Sequence, residues 1–207
     1  IIDYWKRVID FKKINSKGYI YIFLIAILMP LVSVFLSLLF GEPLSQIKLV
    51  EEVKGGIFAI IFFIFYTLLA GPIPEELGWR GYLLDKLMSN KNGLYSSILI
   101  GILWGIWHIP LFLINGYPLQ AYTNNGIVMV TYFGNLIPIS IIYTWIFYRN
   151  NKSILSAILF HFMINFMGTI IEISAITELI QFILLIFFSI LLVLTNKDIF
   201  FQTSKNI

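Results

Sequence analysis

Uncharged apolar runs long enough to cross a bilayer recur along this chain, and they constrain its fold more than any other feature. Tyr19 to Phe40 holds no Asp, Glu, Lys or Arg. At about 1.5 Å per helical residue, such a run covers a hydrocarbon core of about 30 Å. Runs over roughly 55–71, 94–114, 126–148, 153–171 and 175–195 repeat the pattern. Backbone polar groups in lipid must bond within the chain, so these runs read as helices. Only 12% of the 207 residues are charged and 59% are hydrophobic. A soluble domain carries about twice that charged share, so the soluble classes are excluded. The expected fold is an all-α polytopic transmembrane bundle of about six spans with a membrane-embedded polar cavity. The absence of cysteine removes disulfides and thiolate chemistry.

The segment 1–18 reads as a cytosolic juxtamembrane arm, with Tyr4, Trp5, Val8 and Phe11 lying along the interface. Its Asp3, Lys6, Arg7, Asp10, Lys12, Lys13 and Lys17 argue against a cleaved signal peptide. The start at Ile1 rather than Met leaves room for an earlier span. With the N-terminus inside, twelve of the fourteen Lys and Arg fall on the cytosolic side, and only Lys48 and Lys54 fall outside. Glu42, Glu51, Glu52, Glu172 and Glu178 also lie outside. This asymmetry makes both visible ends cytosolic.

The polar exceptions inside the membrane carry the chemistry. Pro74-Glu75-Glu76-Leu77-Gly78-Trp79-Arg80 follows the second apolar run directly. A helix there puts Glu76 and Arg80 on one face as an ion pair and leaves Glu75 as a spare carboxylate suited to acid/base work. The chain's two histidines, His108 and His161, both lie within spans. The bland reading makes each an interhelical hydrogen-bonding group. The catalytic one has Glu75 and His108 hold a water and remove its proton. His161 and Asn165, four apart on one helix face, then donate to the oxygen of the scissile carbonyl. Glu75, His108 and His161 also form a His2Glu set of the kind that holds a catalytic divalent metal such as zinc. No HExxH string supports that variant, and the residues leave both open. Trp104 and Trp107 read as packing and pocket wall. Gly101 and Gly105 read as a close helix contact. Asn135 and Pro138 either line the cavity or bend their helix.

Glu75-Glu76-x-x-x-Arg80, Trp104-x-x-x-His108 and His161-x-x-x-Asn165 resemble, in order, the three motifs of the CPBP family, the CAAX proteases and bacteriocin-processing enzymes also called Abi. The resemblance covers about 70–172 as a catalytic core. Residues 19–69 and 173–207 flank it. It implies an intramembrane endopeptidase in which Glu75 activates water with His108, while His161 and Asn165 form the oxyanion site. Glu76 and Arg80 then fix the motif helix. Database labels for the family often say metalloprotease. The residue four before the second-motif histidine is often Phe in the family. Trp104 here narrows the pocket or lends an N–H donor.

The partners expected are the bilayer and a membrane-associated peptide, not nucleic acid. Ile, Asn and Lys usage points to a low-GC bacterium. Such cells generally lack protein prenylation, which favours processing of a bacteriocin or signalling-peptide leader, or self-immunity. The competing functions are a non-catalytic immunity or scaffold protein and a proton-coupled carrier. The carrier is disfavoured because no repeated pair of broken helices is visible.

Overall fold

The computed structural model describes residues 1–47, 55–171 and 173–203. Lys48, Glu51, Glu52, Lys54, Glu172 and Lys205, which entered the charge argument, lie outside the described residues. Every regular element described is helical: α1 (Ile2–Ile9), α2 (Ser16–Ser37), α3 (Ile57–Ala70), α4 (Pro72–Gly78), a π-helical segment (Trp79–Leu84) and α5 (Asp85–Met88). Then follow α6 (Gly93–His108), α7 (Gly126–Arg149), α8 (Ile154–Ile170), α9 (Ala175–Thr195) and α10 (Lys197–Phe201). Short 3-10 turns join several of them.

Five helical stretches among the described residues are long and apolar enough to cross a membrane. The sixth expected span is α8, which has 17 residues and therefore reaches only about 25 Å. Its shortness fits its place. It packs against α1, α2, α3, α4 and α7, and Ile154, Ala157, Phe160 and His161 are all buried. A helix enclosed by others has little lipid surface to match.

The second span and its motif form one helical stretch, Ile57–Met88, rather than two separate helices. It is broken at Gly71, where φ is −142° and ψ −68°. Pro72 takes the first position of α4, where a missing N–H costs nothing. Beyond α4 the helix widens to π geometry over Trp79–Leu84, an irregularity that tends to mark functional sites.

Residues 1–18 do more than lie on the interface. Trp5 and Phe11 stay exposed, but Tyr4 donates to the Leu77 carbonyl at 2.8 Å. Arg7 pairs with Asp85 and donates from Nε to the Lys152 carbonyl at 2.8 Å. The arm thereby ties α5 to the turn after α7.

The α6–α7 contact depends on Gly101. A Cβ there would lie 2.8 Å from both the Ile137 Cα and the Leu136 carbonyl oxygen, backbone atoms that cannot rotate aside. Gly105 is less tight, with neighbours at 3.5 Å. Gly101→Ala is therefore expected to lower stability by about 1–3 kcal/mol, read as a lower melting temperature in detergent, while Gly105→Ala changes it little.

Candidate functional site

The break at Gly71 starts α4 so that Glu75 falls in its first turn and Glu76 is turned inward. Glu76 and Arg80 are both fully buried. Arg80 Nη1 reaches Glu76 Oε1 at 2.8 Å and Oε2 at 3.0 Å. Its guanidinium carbon lies 3.8 Å from the centre of the Tyr143 ring and 4.9 Å from that of Trp104. A charge this deep is costly unless paired, and here it has a carboxylate and two aromatic faces.

Glu76 has a second partner. His161, on α8, meets Glu76 Oε1 through Nδ1 at 2.8 Å. A carboxylate only accepts, so Nδ1 carries the proton and Nε2 is turned away from Glu76. The sequence pairing of Glu76 with Arg80 thus extends to one catalytic candidate.

Glu75 is half-buried and held by Trp104, whose indole N–H donates to Oε2 at 2.6 Å. Its Oε1 is aimed elsewhere. The position a Cβ would take at Gly71 is 3.4 Å from Glu75 Oε1, 3.5 Å from Asn165 Nδ2 and 3.9 Å from His161 Nε2. Three polar atoms from α4 and α8 converge on a niche that exists because residue 71 has no side chain. Of the two readings of Trp104, the structure has the N–H donor.

His108 lies at the end of α6. Its Nδ1 donates to the Trp104 carbonyl at 2.8 Å, and its ring meets the Tyr132 ring edge-on at 5.7 Å. No hydrogen bond joins it to Glu75 among the described residues. Trp104 connects the two, bonding Glu75 through its indole and His108 through its backbone. Trp107 is 61% exposed. Asn135 keeps a buried Oδ1 with no hydrogen-bond partner among the described residues, and α7 runs on through Pro138.

Tyr143 and Tyr132 escaped the sequence reading. Tyr143 is fully buried, beneath Arg80 and edge-on to Trp104 at 5.7 Å. Both sit in a span where aromatics are ordinary, so no local pattern distinguishes them. Among the described residues no group of three or more His, Asp or Glu is arranged to hold a metal ion.

Residues 57–167 match the family described as Type II CAAX prenyl endopeptidase Rce1-like. Over 203 residues the chain is 35% identical to the protein named CAAX prenyl protease 2 of Methanococcus maripaludis, an alignment covering 97% of this chain and 73% of that one. The match spans all three motifs. That relative is archaeal, and neither match supports a bacterial source or bacteriocin processing.

Removing Arg80 would leave Glu76 buried with one partner fewer. Arg80→Ala is expected to cost about 3–5 kcal/mol, seen as a large fall in the detergent melting temperature. Glu75→Gln, which keeps the Trp104 contact and sits half-buried, should melt within about 1 kcal/mol of the parent chain.

Proposed function

The chain belongs to the Type II CAAX prenyl endopeptidase Rce1-like family, and from that premise we propose that it is an intramembrane endopeptidase cleaving a membrane-associated, lipid-modified or otherwise hydrophobic peptide. The observation that carries this reading is the convergence of Glu75 Oε1, His161 Nε2 and Asn165 Nδ2 on the Gly71 niche.

A water in that niche lies within reach of Glu75 Oε1, which takes its proton as the oxygen attacks the carbonyl carbon. Negative charge then grows on the carbonyl oxygen. Asn165 Nδ2–H donates to it, and His161 Nε2, aimed at the same niche, donates as well when the ring carries its second proton. Collapse of the intermediate breaks the C–N bond, and the proton held by Glu75 passes to the departing amine. His108, joined to Glu75 through Trp104, completes the other wall of the site. No step here requires a metal, and a divalent metal such as zinc stays a separate proposal that a chelator tests.

The site opens, in this reading, as a polar cavity towards the bilayer and the cytosol, and both chain ends are cytosolic by the charge asymmetry. The name of the relative brings prenylated peptides forward as the first substrate class to try, ahead of bacteriocin leaders.

The test compares parent chain and Glu75→Gln, both in mild detergent, on farnesylated and unmodified amphipathic peptides, with products read by mass spectrometry. Glu75→Gln should lower turnover by about 10²–10⁴-fold. Cleavage that survives chelator supports the metal-free route. Loss with chelator that zinc restores would assign a metal instead. Cleavage undiminished in Glu75→Gln sinks the mechanism.

Trp104→Phe isolates the indole donor. Losing a hydrogen bond to a charged group, worth about 1.5–3 kcal/mol, should lower kcat at least tenfold with KM little changed. A change confined to KM would make Trp104 a pocket wall only.

A further inference from the structure

On another side of the bundle, α2 and α9 frame an apolar groove of about 570 Å³, within the usual range of small-ligand sites, about 300–1,000 Å³. The two helices run antiparallel, because the start of one and the end of the other meet at Arg149. Asn15 Nδ2 donates to the Arg149 carbonyl at 3.0 Å, and Arg149 Nη2 donates to Asn196 Oδ1 at 2.7 Å. One wall extends from Tyr21 to Val32 and the other from Leu184 to Asn196. At 1.5 Å per residue each wall is about 17 Å long, close to one leaflet of a hydrocarbon core about 30 Å thick. Its floor includes the buried Ile25 and Leu192, and its rim the half-exposed Leu28.

The mouth is chemically different from the rest. Tyr21 and Trp145 meet there with ring centres 5.1 Å apart, amphipathic rings of the kind found at headgroup level. Trp145 Nε1 donates to Asn196 Oδ1 at 3.0 Å. Lys17 lies one turn before Tyr21, and Lys197 follows Asn196. Both are exposed, and neither makes an ion pair among the described residues. Arg149 is already engaged by Asp198 at 3.3 Å. Three cations against one carboxylate leave two positive charges at the apolar groove's end.

A leaflet-long slot that ends in aromatic rings and unpaired lysines matches one molecule in its surroundings. We infer that the α2–α9 groove binds a single anionic phospholipid from the leaflet on the side of the two chain ends, one acyl chain in the slot and its phosphate met by Lys17 and Lys197. None of these residues belongs to the glutamate–histidine site, so the lipid site stands or falls independently of peptide cleavage. Bound there, the lipid would cover the seam between α2 and α9.

The test titrates the whole chain, purified in mild detergent, with palmitoyl-oleoyl phosphatidylglycerol or the phosphatidylcholine of identical chains, read by native mass spectrometry and thermal melting. Phosphatidylglycerol should be retained roughly tenfold more tightly and should raise the melting temperature more. In Lys17→Ala/Lys197→Ala that preference should fall to near parity, with the lipid-free melting temperature unchanged because both side chains are exposed. Leu28→Trp, which fills the slot, should weaken both lipids. Equal retention of the two lipids by the parent chain would overturn the proposal, as would a preference that survives loss of both lysines. Displacement of bound lipid by a farnesylated peptide would also overturn it, making the groove a seat for the substrate's own chain.

Discussion

The structure turns on a carboxylate wholly buried within the protein. Glu76 lies fully buried in a bundle of apolar helices, where an isolated charge would be prohibitive. It is retained because Arg80 comes back to it within one turn and His161 reaches it from α8. That one side chain therefore joins the motif helix to the central helix. Arg80 in turn needs its face covered, and Tyr143 and Trp104 supply the cover from α7 and α6. Four helices are held in register by a single buried charge and its partners. Such a network contributes more to specifying the arrangement than to net stability, since a pair this deep offsets much of its attraction in lost hydration.

The same network leaves the reacting groups half-free. Glu76 occupies His161 Nδ1, so Nε2 alone faces the Gly71 niche. Trp104 occupies Glu75 Oε2, so Oε1 alone faces it. Each candidate is anchored on one atom and presents the other, and such groups are preorganised without being consumed by structure. Gly71 completes the set by supplying nothing. Any side chain there would lie against all three polar atoms, so the residue that breaks the helix also leaves the niche vacant.

Much of this was legible in the sequence. Spans were set by uncharged length, and the bounds of α7 and α9 follow closely the expected 126–148 and 175–195. The Glu76–Arg80 pair follows from helical spacing alone. Contacts that need three-dimensional placement were not legible. Nothing in the spacing of Glu76 and His161 shows that they touch, 85 residues apart. The two motif tryptophans differ for the same reason: three residues apart in sequence, they are told apart only by packing, with the Trp104 ring against Tyr143 of α7 and Trp107 left exposed. Tyr143 was hidden for a different reason, because an aromatic in a membrane span carries no signal until a cation is found over its face.

The distribution of charge along the second span explains why the helix is irregular where it is. Glu75, Glu76 and Arg80 must point to three targets, the niche, α8 and the α6–α7 aromatics. A regular α-helix offers 100° per residue and brings Arg80 back almost over Glu76. The break at Gly71 sets the starting direction of the two carboxylates, and the wider π turn from Trp79 adjusts where Arg80 arrives. A straight helix through the same residues would serve the ion pair but not the aim of Glu75. Backbone irregularity here is tolerated because the stretch is packed against α6, α7 and α8 rather than open to lipid, and it sits beside the residues whose directions it sets.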